Sequence, residues 1–311
     1  MLQSPWSPER AWGSGWDDLK GMHMMDMIAA GQDARLGWAV LVVLLLFAGP
    51  TWAAGLANAF PGSARGYLVK IGNTPTWGEG TQRRLPPASL TKMMTVLLTL
   101  EHGRLEDVVT VSQAAARETG SRLGLRAGQR FTVRSMLAAA MIRSANDACH
   151  VLADYVGGNE ARFVRLMNAK AAALGMRNTH FTNACGHHNV KHYSSAADLA
   201  VLAERLLRFP IVVQLAQRSV YTIRTRDGAK TYTFKSTNKL LGQYPGVMGL
   251  KTGYTPQAGR CLVATAYRNG TRILLVLLHA PQRWETASAM LDHAFDRVRT
   301  ATNRPMALGP S

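Results

Sequence analysis

The sequence predicts an α+β fold: an antiparallel sheet flanked by helices, with an all-helical lobe inserted between the strand-forming ends. Three observations predict it. Strand-like segments stand at 65–71 and again beyond about residue 218, while helix-period segments fill the middle. Within 260–280, RCLVATAYRNGTRILLVLLHA, two apolar runs meet at Asn269-Gly270, a strong short hairpin signal. A closing segment from Arg283 to Arg299 puts Met290, Ala294, Phe295 and Val298 on one helical face.

Taken in order, RGYLVKI (65–71) reads as a strand, and a Gly/Pro/Thr-rich loop runs to Pro87. From Ser89, Leu90, Met93, Met94, Leu97 and Leu100 recur at helical spacing until Gly103. Residues 106–134 mix short pieces with turns at Gly120, Gly124 and Gly128. Residues 134–156 are helical on either side of Ser144. Two more helices are expected, from Asn159 to Leu174 and from Asp198 to Leu207, the second capped by Ser194 and Ser195. SVYTIRT and KTYTFKS flank Asp227-Gly228 as a hairpin, and GVMGLKTG precedes the final strand pair.

The first 53 residues stand apart. LGWAVLVVLLLFA (36–48) is an unbroken apolar run of thirteen, short of the roughly 20 a membrane span needs. It follows Arg35 and precedes Gly49-Pro50 and small residues, the order of a signal peptide cleaved after Ala53. The upstream 35 residues are long and acidic for a leader, which a later start at Met24, Met25 or Met27 would cure; the alternative is an uncleaved anchor. The expected division is therefore signal peptide 1–53 and one catalytic domain 54–311. Membrane association is expected only through an uncleaved N-terminal segment.

Composition narrows the function. A 47% hydrophobic and 18% charged chain of 311 residues is that of a globular protein rather than a disordered one. Formal charge is +17; without residues 1–53, which hold three basic and five acidic residues, it is +19. Such a body favours an anionic surface or polymer. Its Lys and Arg are scattered, with no long basic run, zinc-finger or RNP-like pattern, which argues against nucleic acid. The three cysteines form no C-x-x-C pair. Cys149 reads as a small core residue; a Cys185–Cys261 pairing is left open. His187, His188 and His192 lack the spacing of a metal site and read as a solvated loop, so no metal or cofactor is expected.

The chemistry-bearing residues fall in three groups. In PPASLTKMMT (86–95), Ser89 and Lys92 lie three apart, one helical face, where an amine can serve a hydroxyl nucleophile as base. Ser144-Ala145-Asn146 follows 55 residues on: a hydroxyl to relay a proton and an amide to orient a carbonyl or the lysine. Lys251-Thr252-Gly253 comes 107 residues after Ser144 on an expected strand. There a cation and a hydroxyl suit a carboxylate, and a glycine lets substrate lie along the edge. Singly, each has a plain reading: a cap, a solvated charge, an edge-strand lysine. Three together, in order, do not.

With these motifs the chain resembles the serine-type D-alanyl-D-alanine carboxypeptidases, low-molecular-mass penicillin-binding proteins of the peptidase S11 type, from about residue 60 to 299. LRAGQRFTVRSMLAAAMIRSANDA, ALGMRNTHFTNACG, YSSAADLAVLAE and GLKTGYTPQAGRCLVATA carry the likeness. The resemblance implies a penicillin-recognising fold and an acyl-enzyme on Ser89, with Lys92 as base and Ser144 and Asn146 completing the relay and holding the substrate amide. It further implies Lys251 and Thr252 on the terminal carboxylate, backbone N–H groups of Ser89 and Thr255 as the oxyanion hole, and Arg283 assisting carboxylate binding. Substrates would be peptidoglycan stem peptides in the periplasm, with β-lactams as covalent inhibitors.

Departures accompany it. The chain ends about 60 residues after Lys251-Thr252-Gly253, so the family's C-terminal β domain and anchoring helix are not expected. Cys185 and His187 replace the usual Pro and Leu. A DD-endopeptidase cutting cross-links, a β-lactamase and a non-catalytic wall-binding protein are the rivals. The second needs a deacylating E-x-x-L-N-like segment that is not found between the second and third motifs, and the third would tolerate broken motifs.

Overall fold

The computed structural model describes residues 59–72 and 74–302; the expected signal peptide lies outside them. Five strands form one antiparallel sheet: β1 (Gly66–Ile71), β2 (Thr74–Glu79), β7 (Val247–Thr255), β8 (Gly259–Arg268) and β9 (Thr271–Leu278), in the order β2-β1-β9-β8-β7. The β8–β9 hairpin turns at Asn269 and Gly270, both at positive φ (48° and 77°), as a two-residue primed turn requires.

The apolar run of β9 is explained by burial on both faces. Leu274, Val276 and Leu278 pack toward the helical side, while Ile273, Leu275 and Leu277 pack beneath the closing helix α8 (Arg283–Thr302). There they meet Ala287, Met290, Leu291 and Ala294. Burying each such Leu or Ile contributes roughly 1.5–3 kcal/mol.

The segment between β2 and β7 builds the helical side. α1 (Lys92–His102) is its central element, buried along nearly its whole length. β3 (Val108–Thr110), the one-turn α2 (Gln113–Ala116) and β4 (Arg130–Thr132) make a small appendage. α3 (Val133–Ala138) widens into a π turn over Ala139–Arg143 that ends at Ser144, and α4 (Asn146–Gly157) and α5 (Glu160–Ala173) follow. α6 (Ala196–Leu206) is capped by Ser195, whose hydroxyl accepts the Asp198 N–H; Ser194, expected to share that cap, instead bridges Leu85 and meets Thr179. α7 (Pro210–Ala216) and the β5–β6 ribbon (Val220–Arg224, Thr231–Lys235) complete it.

The sequence reading missed β2, whose Gly- and Pro-containing strand looked like loop, and α7, too short to show a period. The expected 219–236 hairpin forms, yet as a separate two-stranded ribbon. Its register leaves Tyr232 Oη donating to Gln129 and Arg226 N–H to the Arg130 carbonyl, tying it to the β3–β4 appendage.

Candidate active site

Ser89 does not lie in α1. Pro86 and Pro87 lead into a 3-10 turn, Ala88–Thr91, with Ala88 at φ +49° and the Thr91 hydroxyl donating to the Ala88 carbonyl. Because 3-10 side chains eclipse at i and i+3, the Ser89–Lys92 pairing expected of an α-helix survives the change. Ser89 is half-buried at the surface of the turn, whereas Lys92, the first residue of α1, is fully buried.

Lys92 Nζ lies 3.1 Å from Ser89 Oγ and donates to Asn146 Oδ1 at 2.6 Å and the Cys185 carbonyl at 2.7 Å. Burial drags its pKa from 10.5 down to about 7, against the upward pull of Glu118 and Asp147. A neutral amine has two N–H bonds and one lone pair. Two fixed acceptors take the N–H bonds, so the lone pair is left for Ser89.

Asn146 opens α4 and donates from Nδ2 to the Thr119 carbonyl at 2.5 Å, while its N–H donates to the Ser121 carbonyl at 2.7 Å. The next residue, Asp147, accepts from the N–H groups of Leu123, Gly124 and Leu125, so its carboxylate holds the 119–125 loop against the site. Ser144 sits at φ +63°, left-handed backbone that a serine adopts at a cost, and that turn aims its hydroxyl at β7. There it accepts from Lys251 Nζ at 2.7 Å, and Nζ also donates to the Thr252 carbonyl at 3.0 Å. Lys251 is fully buried; burial, then the charges of Lys92 and Arg283, push it well below the usual amine range.

β7 closes the cleft as the edge strand of the sheet. A Cβ on Gly253 would stand 2.9 Å from the Pro87 carbonyl and 3.2 Å from Ser89 N, so only glycine lets β7 approach the Ser89 turn this closely. Thr252 Oγ1 pairs with Thr237 Oγ1 at 2.6 Å.

Two of the expected site residues are engaged with the sheet itself. Arg283 Nη1 donates to the carbonyls of Gly253 and Cys261, which face each other between β7 and β8, and its guanidinium stacks on Trp284. Arg283 thus braces the strand pair. The same geometry fixes the alternation: Gly253 and Thr255 turn their main-chain groups toward β8, and Thr252 and Tyr254 toward the free edge. The edge N–H expected from Thr255 is therefore offered by Tyr254, one residue earlier.

The cysteines and histidines also depart from expectation. Cys185 pairs with Cys149 of α4, leaving Cys261 as a buried free thiol. His192 is buried, with Nε2 2.8 Å from Thr91 Oγ1, and the partly exposed His187 meets Glu118 through Nε2 at 2.7 Å, whereas His188 is exposed as expected. Among the described residues no cluster suits a metal ion. Cys185, Thr119 and Thr237 were missed because two act through main-chain carbonyls, which leave no mark in residue type, and the third pairs across a fold contact.

A protein-family model described as D-alanyl-D-alanine carboxypeptidase, peptidase S11, matches residues 78–282. The chain belongs to that D-alanyl-D-alanine carboxypeptidase family. It is 38% identical to D-alanyl-D-alanine carboxypeptidase DacF of Bacillus subtilis over 72% of its length, and spans 59% of that relative. The D-alanyl-D-alanine carboxypeptidase of Streptomyces sp. K15 is 31% identical, with 79% of this chain and 95% of that one aligned. The crystal structure of the Streptomyces K15 DD-transpeptidase superposes with a TM-score of 0.70 at 30% identity, covering 75% of this chain and 97% of that one. The three groups that carried the sequence likeness are gathered in the cleft: Ser89–Lys92, Ser144–Asn146 and Lys251–Gly253.

Proposed function

We propose that this protein is an exported serine D-Ala-D-Ala carboxypeptidase that removes the terminal D-alanine of peptidoglycan stem peptides, with residues 54–311 as its catalytic domain. The carrying observation is the lone pair of a buried Lys92 amine left facing Ser89 by two fixed acceptors. Lys92, about half neutral at pH 7, takes the Ser89 proton as Oγ attacks the penultimate carbonyl. The N–H groups of Ser89 and Tyr254 stabilise the oxyanion. Lys92 and Ser144 return a proton to the leaving amine, and a water hydrolyses the acyl-enzyme. Lys251 and Thr252 take the substrate's terminal carboxylate, with Arg283 holding β7 in place, and Asn146 orients the peptide amide.

The basic body, which suits an anionic wall, and a disulfide suited to an oxidising compartment support the reading. Export to the periplasm and acylation by β-lactams belong to the same proposal. Fluorescent penicillin with the purified protein and its Ser89→Ala variant, followed by peptide mass mapping, tests it. A stable label on Ser89, absent in the variant, together with D-alanine release from a pentapeptide, is expected. A folded protein that takes no label sinks the reading; rapid antibiotic loss points to a β-lactamase, and an intact antibiotic to a binding protein.

A further inference from the structure

Between the 117–125 loop, α4 and the 183–187 loop lies a cluster that the acyl-transfer steps do not use. Glu118 Oε1 stands 2.7 Å from His150 Nδ1, and its Oε2 stands 2.7 Å from His187 Nε2. One carboxylate therefore bridges a histidine of α4 and a histidine of the loop that carries Cys185. The Glu118 side chain is only 11% exposed, as is that of His150.

The three segments it joins are those that hold Lys92 and Asn146. Thr119, next to Glu118, supplies the carbonyl bound by Asn146 Nδ2. Asn146 lies one turn before His150 on α4, and Cys185, two before His187, supplies the carbonyl bound by Lys92. The same loop is tied to α4 a second time by Cys149–Cys185. It is shaped from within by Asn183 Oδ1, which accepts the N–H groups of Gly186 and His187, and by Glu160 Oε1, which accepts that of Ala184.

We propose that Glu118 is a positioning residue for Lys92: it clamps His150 and His187 together so that the Thr119 and Cys185 carbonyls stay where the amine and the Asn146 amide need them, and its fixed charge sets the field at that amine. The inference rests on Lys92 being the base proposed above. Burial raises the Glu118 carboxyl, but the hydrogen bonds from the two histidines outweigh it and bring it to about 2, so it is ionised throughout the working range. His150 is raised by the same bond. The charged groups around the clamp are His150, Asp154 and Asp147 on α4, His187 on the loop, Glu160 on α5, Lys92 on α1 and Arg122 beside Glu118, whose Nη1 donates to the Glu118 carbonyl.

The test is the pH profile of penicillin acylation in the full chain and its Glu118→Gln variant, with a lysine 13Cε titration of Lys92 in both. Loss of the negative charge lowers the Lys92 pKa. The acid limb should move down by about half to one pH unit, and misplacement should lower the plateau about tenfold. An unchanged profile overturns the proposal. So does a lower plateau with an unmoved limb and an unmoved Lys92 titration, which would make Glu118 a structural staple only. His187→Gln severs one arm at a side chain 38% exposed and leaves the Glu118 charge in place, so it tests the clamp separately from the field and does so even if Glu118→Gln does not fold. It should lower the plateau about threefold without moving the limb down, and an unaltered plateau counts against the clamp. If the parent takes no penicillin, the carboxypeptidase reading fails, and the Lys92 titration alone still decides whether Glu118 sets that amine.

Discussion

The two walls of the cleft are built to opposite plans. On the helical wall the amine and the amide are fixed from several sides: Lys92 by Asn146 and Cys185, Asn146 by the Thr119 and Ser121 carbonyls, and the neighbouring loops by Asp147, a disulfide and the Glu118 bridge. The sheet wall is an edge strand whose Thr252 and Tyr254 main-chain groups face the cleft, with Tyr254 63% exposed. The buried lysines differ likewise. Lys92 has two carboxylates nearby to offset burial, whereas Lys251 has two cations, Lys92 and Arg283, that add to it. Proton transfer needs one geometry and a base near neutrality; substrate capture needs an open edge and a group whose charge is completed by what it binds.

The largest expected effect breaks the helical wall at its centre. Lys92→Ala should slow acylation of Ser89 about 10²–10⁴-fold, the usual worth of a general base. The parent's acylation rate should fall on its acid side with a midpoint near pH 7, because Lys92 must be neutral to accept a proton and is protonated below about 7. Stopped-flow labelling with fluorescent penicillin measures both. A midpoint several units from 7 would assign the base elsewhere.

The disulfide tests whether that wall depends on its ties. Cys149 and Cys185 are 36 residues apart, a closed loop for which a disulfide stabilises by about 2–4 kcal/mol. Urea melts with and without dithiothreitol should differ by that amount. Equal midpoints would show the loop to be held by its hydrogen bonds alone. Cys261 should not confuse the experiment: it is fully buried, and burial pushes its thiol up to about 11, so alkylation before unfolding should spare it.

Legibility followed the same division. The side chains that meet in the cleft could be read because S-x-x-K, S-A-N and K-T-G mark them by residue type and spacing. The hairpin at Asn269-Gly270 and the two-faced apolar run of β9 could be read because turn chemistry and burial leave local patterns. The fixings could not. The Cys185 and Thr119 carbonyls act through the backbone, and the Cys149–Cys185 pairing joins segments whose proximity only the packed fold sets. The N–H at the free edge slipped by one residue, from Thr255 to Tyr254, because alternation along β7 depends on which neighbour it pairs with. His187 and His192 looked like solvated loop residues because their partners, Glu118 and Thr91, are 69 and 101 positions away.

On the sheet wall, Lys251→Ala should cost about 10–100-fold in kcat/KM on a peptide ending in a free carboxylate, a lost charge-assisted contact, and clearly less on its C-terminal amide. A carboxylate arriving beside Lys251 should also raise its depressed pKa, so ligand binding draws in a proton. Calorimetry of the Ser89→Ala variant with the peptide in two buffers of different ionisation enthalpy reads that uptake. Equal losses on acid and amide would move Lys251 from carboxylate capture to the proton relay through Ser144.

The smallest effect concerns the side-chain hydrogen bond that holds Thr252. Thr237 Oγ1 lies 2.6 Å from Thr252 Oγ1, so one hydroxyl orients the other before substrate arrives. Thr237→Val keeps the shape and removes the hydrogen bond, which should cost about 1 kcal/mol, roughly a fivefold rise in KM with little change in kcat. Thr237→Ser should restore most of it. If Val and Ser behave alike, orientation of Thr252 comes from the strand itself, and the open edge requires less organisation than the helical wall by a wider margin than the present contacts suggest. If Val lowers kcat as well, the hydroxyl pair takes part in proton movement, and the sheet wall shares the work assigned to Lys92 and Ser144.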